Sequence, residues 1–375
     1  MLIAVCLLGI PAKAQYGGGN GTEEDPYQIW TIEQMNSIDH HHEDRNKHFK
    51  LMADIDMSAY PEITFNTIGP YYIYDRLTGK ITDTLGFKGV FDGNFHIIRN
   101  VDVNMPGEKY VGIFGFLDDN GQIKNLGIEN VVIIGGAFTG SLAGCSIGTI
   151  TNCHSTGSVS GSSCIGGLVG EHYKGDITDC YYSGSVTGTN YYIGGIVGMV
   201  SSPMGIISHC YSSGQVSGGD RIGGLVGWNH GSIDNSYSIG TVSGNNSVGG
   251  LVGQNHNGDI IDSYSTGAVI GVNDVGGLLG KNEYYGSISS IFWDTQTSGI
   301  DTPGYGDGLT TDEMQTATTF LDAGWDFVNV WDIGNGQTYP YLRTTIAGDI
   351  NKDGIVNFLD LCIIAQQWMK SDIEK

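Results

Sequence analysis

Six positions near the end of the chain have the spacing of a metal site. In Asp349-Ile-Asn351-Lys-Asp353-Gly354-Ile355-Val-Asn357-Phe-Leu-Asp360, side-chain oxygens fall at loop positions 1, 3, 5, 9 and 12. Glycine at position 6 allows a sharp turn, and position 7 offers the Ile355 carbonyl. That is the donor arithmetic by which a hard, oxygen-seeking cation such as Ca2+ is enclosed. Without a cation, the carboxylates of Asp349, Asp353 and Asp360 would repel one another, so the segment is expected to order only on binding metal. An acidic solvated tail would need neither the glycine nor the matched positions. Leu361, Ile364 and Trp368 follow at helical spacing and form one apolar face.

A second group of residues suits binding rather than reaction. Short, variable stretches follow a recurring glycine and carry His172, Tyr173, Trp228, His230, His256, Tyr284 and Tyr285. Read as loops along one edge of a rigid frame, they would make an aromatic ridge for sugar or protein; read plainly, the same rings cover loop backbone. His40-His-His42 with His48 is the one histidine cluster, and a charged loop promises none of the fixed geometry that a transition metal needs.

Carboxylates raise the question of catalysis. Asp176, Asp179, Asp234, Asp259 and Asp262 border one edge of neighbouring segments, and a glycoside hydrolase needs two acids about 5 to 9.5 Å apart. Yet Asn152, Asp179, His209, Asn235 and Asp262 share one repeat position. That is how turn-formers bonded to local backbone behave, whereas a catalytic site is local. Between Asn125 and Gly280 the only Lys or Arg residues are Lys174 and Arg221, which disfavours elimination chemistry on uronates.

The elements that would position these groups come from a repeat. Ile165-Gly-Gly-Leu-Val-Gly170 returns at Ile193 to Gly198, Ile222 to Gly227, Val248 to Gly253 and Val275 to Gly280. Looser copies close at Gly115 and Gly144, giving spacings of 29, 26, 28, 29, 26 and 27. A unit of about 27 residues that cannot bury its own apolar face must stack on its neighbours. Each unit also holds Gly-x-Ile-x-x-(Cys/Ser)-aromatic and Gly-x-Val-x-Gly, so each reads as three short β-branched strands. The expected fold is all-β, a parallel β-solenoid (right-handed β-helix), with coils about 4.8 Å apart. In-register stacking then makes columns: Leu126, Cys153, Cys180, Cys210, Ser236, Ser263, Ile291, and beside it His154, Tyr181, Tyr211, Tyr237, Tyr264, Phe292.

Composition suits such a chain: 60 glycines in 375 residues, 15% charged, and a net charge of −23. That balance repels nucleic acid and anionic membranes. Residues 1 to 14 read as an export signal, with an apolar run too short to span a bilayer. Cys153, Cys180 and Cys210 in one column would sit too far apart for disulfides and read as core fillers. Residues 15 to 110 read as an N-terminal cap and first irregular coils. Thr31-Ile-Glu-Gln34 opens a helix there with Ile32, Met35 and Ile38 on one face. Residues 111 to 293 form the repeat, and 294 to 346 a C-terminal cap, with Thr311 as the N-cap of a helix running toward Gly324. Residues 347 to 375 hold the calcium loop.

The repeated phrase resembles the GLUG motif family of bacterial secreted, adhesin-like proteins and of the non-catalytic part of immunoglobulin A-cleaving peptidases. The resemblance covers roughly residues 110 to 293 and implies a β-helical scaffold at the cell surface or outside the cell, with no chemistry of its own. The metal loop, EF-hand-like but with Asp360 at position 12, Val356 at position 8 and an apolar helix after it, resembles one type I dockerin repeat. It implies Ca2+ as the bound ion and a cohesin-like module as partner, although type I dockerins carry two such repeats and this sequence shows one. The expected function is a non-catalytic scaffold or adhesin that binds glycan or protein without a transmembrane span. The alternative is a carbohydrate-active protein, a glycoside hydrolase or its subunit, in extracellular polysaccharide breakdown.

Overall fold

A computed structural model describes residues 15–69, 72–74, 81–84, 86–284, 286–302 and 304–343. The chain winds into a parallel β-solenoid whose ladders run from Tyr27–Ile29 to Asp307–Leu309. One coil shows the plan, with strands Ile165–Gly166, Val169–His172, Gly175–Thr178 and Tyr181–Gly188. Each stacks on its counterpart in the next coil, forming a seven-stranded sheet, a five-stranded sheet and a large third sheet.

The repeated phrase is therefore two strands and a corner, not a single strand. A Cβ at Gly166 would strike the Val169 carbonyl, and one at Gly167 the Gly195 carbonyl of the next coil. Only glycine allows the chain to fold back that tightly. Inward side chains repeat in strict register. Ile150, Ile177, Ile207, Ile233, Ile260 and Ile288 form one column. Val159, Val186, Val216, Val242 and Val269 form another. All but the terminal Ile288 are buried, so each coil supplies apolar area that its neighbours cover.

The cysteine column is as the repeat predicts. Cys153, Cys180 and Cys210 are buried cysteines outside any disulfide, and Cys145 and Cys164 are buried too. Each thiol of the column donates to a carbonyl two residues earlier, as from Cys180 Sγ to Thr178 O at 3.0 Å. Burial first, then the Cys180 thiol, pushes the Cys153 thiol up, which keeps it protonated and inert.

The helix Ile32–His40 buries Ile32, Met35 and Ile38, and Thr31 accepts from Gln34 N. At the other end the structure corrects the sequence reading. Thr310, not Thr311, is the N-cap, locked by a reciprocal pair with Glu313. The helix stops at Met314, and a second runs Ala317–Asp322. The C-terminal segment also does more than close the end of the stack. Met314, Phe320, Trp325, Trp331 and Leu342 pack sideways onto Tyr237, Tyr264 and Phe292, and so clamp three coils together.

Candidate functional site

The outer face of the solenoid presents aromatic rings in two arrangements. In the first, His154, Tyr181, Tyr211, Tyr237 and Tyr264 lie in register on successive coils. Their centroids are 4.8 to 5.0 Å apart and their planes within 9° of parallel. The coil repeat sets that spacing. Burial pushes Tyr211 up to about 12.

Beside this stack runs the column Asn125, Asn152, Asp179, His209, Asn235, Asp262, Ser290, each with a left-handed φ of 46 to 54°. These residues turn the chain as expected, but the side-chain bonds of Asn152, Asn235 and Ser290 run to a neighbour in the column or to the C-terminal cap rather than to local backbone. Asn152 donates to Asn125 Oδ1 at 2.9 Å, and Asn235 accepts from Trp331 Nε1 at 2.9 Å. Burial raises Asp179, opposed by His209, and raises Asp262, to which Asp234 adds. Asp259 is committed to backbone, accepting from Ser287 N at 2.7 Å. The acids thus follow the period of the scaffold. His154, Tyr181 and Tyr211, with Asn152, Asp179 and His209, line a groove of about 430 Å3 that ends at Leu342 and Arg343.

The second arrangement is irregular. Trp228 meets His230 at 5.9 Å and His256 at 5.2 Å, and His230 meets His256 edge-on at 5.5 Å. Tyr284 lies edge-on to His256 at 4.6 Å. Sequence reasoning therefore named four rings that do come together. Tyr173 is exposed on its own, two coils earlier, and Tyr285 lies outside the described residues.

The position of these rings differs from the loops expected. The chain continues as strand past each closing glycine, over Val226–Asn229 and Val252–His256, so Trp228 and His256 project from a sheet. A flat, hydrogen-bonded base holds them more firmly than a loop would. Two further members escaped the sequence reading. Tyr192 lies tilted at 51° against Trp228 with centroids 5.9 Å apart, and the Arg221 guanidinium lies 5.2 Å over Tyr192 while its Nε donates to Gln254 Oε1. Both precede the isoleucine of the repeated phrase and have left-handed φ of 65° and 59°, a corner that turns the side chain outward. Lys281 donates to Glu283 at 2.8 Å, and Glu283 lies 3.6 Å from His256. Burial first, then His256, lowers His230.

His172 does not belong to this surface. It is fully buried, and its Nε2 donates to the Gly175 carbonyl at 2.9 Å. Burial pushes it down to about 4. In the same inward column Asn229 donates to Asn255 at 2.9 Å and Asn255 to Asn282 at 3.0 Å, a buried amide ladder that closes the turns below it.

The calcium positions Asp349, Asn351, Asp353, Ile355, Asn357 and Asp360 lie outside the described residues. Among those described, no group of three His, Cys, Asp or Glu side chains could hold a metal ion, and no helix is long and apolar enough to cross a membrane.

The GLUG motif is matched at residues 161–187, 218–243 and 244–270. Those three stretches carry the GLUG motif. In each, the glycine corner and the column of core valines described above are the parts that recur. Halomucin from Haloquadratum walsbyi is 37% identical over 152 residues, which is 40% of this chain and 2% of that protein. A candidate Gly-rich membrane protein from Evansella cellulosilytica is 30% identical over 149 residues, 39% of this chain and 16% of the other. The chain thus spans a small part of either relative. Among solved structures, a candidate immunoglobulin A1 protease from Bacteroides ovatus superposes with a TM-score of 0.57 at 22% identity, covering 88% of this chain and 95% of that one. An IgA1 protease follows at 0.53 and 16% identity, covering 75% of this chain and 24% of the other. The likeness to these solved structures bears out the parallel β-solenoid fold.

Proposed function

We propose that this GLUG solenoid is a surface or secreted binding protein whose irregular aromatic platform holds a glycan or a protein without transforming it. The observation that carries this reading is the group Tyr192, Trp228, His230, His256 and Tyr284, gathered on the strands of two adjoining sheets and the bends that follow them, with Arg221, Lys281 and Glu283 around it. Aromatic faces edged with mixed charge suit sugar rings and polar peptides alike. An extracellular setting is supported by the apolar run at the N-terminus and by a relative described as a membrane protein. It is supported also by solved neighbours named for an activity on immunoglobulin A1, a protein found outside cells.

The C-terminal segment adds a calcium site in this reading, with Asp349, Asn351, Asp353, Asn357, Asp360 and the Ile355 carbonyl as donors. Its affinity should fall between millimolar and micromolar, and a cohesin-like module is the partner its dockerin resemblance points to. Two experiments test the proposal. Wild type and Trp228→Ala are applied to glycan and surface-protein arrays, with release of reducing ends assayed in parallel. Binding that Trp228→Ala abolishes, with no release, is the expected result; release of reducing ends lost in Asp179→Ala or Asp262→Ala would replace the binding reading with a hydrolytic one. Titration calorimetry of the full chain should show calcium heat that disappears in Asp349→Ala and Asp353→Ala.

A further inference from the structure

The stacked column passes through two environments. Tyr237, Tyr264 and Phe292 lie under Phe320, Trp325, Trp331 and Leu342 of this same chain, and Tyr264 donates its phenolic proton to Pro340 O at 2.5 Å. His154, Tyr181 and Tyr211 continue the stack without a break, Tyr211 meeting Tyr237 at 4.9 Å and 3°, but they line the open groove. The groove therefore offers the same surface that the chain already covers one coil further on. Leu342 and Arg343 form its end wall, and residues 344 to 375 follow directly.

Within that segment Leu361, Ile364 and Trp368 recur at the spacing of one apolar helix face. We propose that this face docks in the groove, over His154, Tyr181 and Tyr211, so that the chain's own tail completes the cover begun by its cap. Reach is ample. Residues 344 to 360 separate Arg343 from Leu361, and an extended chain advances about 3.3 Å per residue. The groove, from Asn125 to His209, crosses successive coils only about 4.8 Å apart. A sugar is a poorer occupant. It would stack on ring faces, but those of Tyr181 and Tyr211 are taken by their neighbours in the column, and Gly127 packs against His154. What remains is ring edges and apolar stem, which suit Leu, Ile and Trp side chains.

The inference rests on the tail reading for its helix, but the two fail separately: calcium calorimetry reports on the loop whether or not the helix docks. Cys362 lies beside Leu361, while Cys145, Cys153, Cys164, Cys180 and Cys210 are buried. In a Cys6→Ser background of the full chain, in millimolar calcium, His154→Cys is treated with a short bis-maleimide, and Tyr181→Cys serves if the first variant folds poorly. The expected result is a cross-link to Cys362 within one chain, located by peptide mass spectrometry. Because a merely tethered tail also gives some product, the deciding measure is Leu361→Asp with Trp368→Asp in the same background. These changes should slow cross-linking at least about tenfold, the factor that a buried aromatic anchor carries. An unchanged rate would overturn the proposal, and so would a product that joins two chains.

Discussion

The two aromatic sets of this solenoid differ in one respect that separates scaffold from candidate function. In the stacked column every ring occupies the same repeat position and lies within 9° of its neighbour. In the platform the rings come from several repeat positions, His230 and His256 sharing one, and meet at 30 to 90°. Periodicity is what stacking coils require, so a periodic aromatic is accounted for by the fold. Trp228 is not: in register with it stand Met199 and Gln254, so the solenoid itself does not demand a tryptophan there.

The sharpest way to break that contrast is to damage the column. Tyr264→Ala removes a buried ring that stacks on Tyr237 and packs against Trp325 and Trp331. It should destabilise the C-terminal coils by about 3–5 kcal/mol, seen as a lower urea midpoint in tryptophan fluorescence. A loss near zero would mean the column is not structural.

A smaller effect comes from putting the periodic residue where the chain departs from it. His172 shares its inward column with Val200, Asn229, Asn255 and Asn282, and burial holds its imidazole neutral down to about 4. The unfolded chain takes up this proton near pH 6.5, so full stability is present above that pH and is lost as pH falls toward 4. The loss is on the order of 2–3 kcal/mol. His172→Asn can donate to the Gly175 carbonyl as Asn255 does to Gly258 at 2.8 Å. It should flatten thermal stability between pH 6.5 and 4; an unchanged acid slope would place the sensitivity elsewhere. The smallest stability effect is expected from Trp228→Ala, below about 1.5 kcal/mol, together with at least about a tenfold loss of ligand retention on the arrays. Large destabilisation with intact binding would make Trp228 part of the scaffold after all.

The columns were legible in the sequence because a period of about 27 residues fixes which side chains align, and Cys153, Cys180 and Cys210 could be placed in the core on that ground alone. The direction of a side chain within a short polar stretch was not. Trp228-Asn-His-Gly231 has the composition of a loop, yet Asn229 turns inward because Asn255 and the Gly231 backbone satisfy its amide. That choice keeps the segment in strand and points Trp228 outward. Tyr192 and Arg221 were hidden for a related reason: the left-handed corner that exposes them is a backbone property, with no residue preference strong enough to announce it. Nor could spacing show that Trp331 packs sideways, since the aromatic tail could equally have closed the end.

The bond from Trp331 Nε1 to Asn235 Oδ1 joins residues 96 apart, whereas the ladders join residues one coil apart. A chain emerging from the ribosome N-terminus first can close the early coils as soon as each successor appears. The coils that hold Tyr237, Tyr264 and Phe292 gain their outer cover only once Met314 to Leu342 have been made. Assembly thus has a local, progressive phase and a later step that depends on residues 314 to 342, so a transcript cut short before Met314 would leave those three rings without this cover, an apolar strip of the kind that quality control and aggregation both recognise.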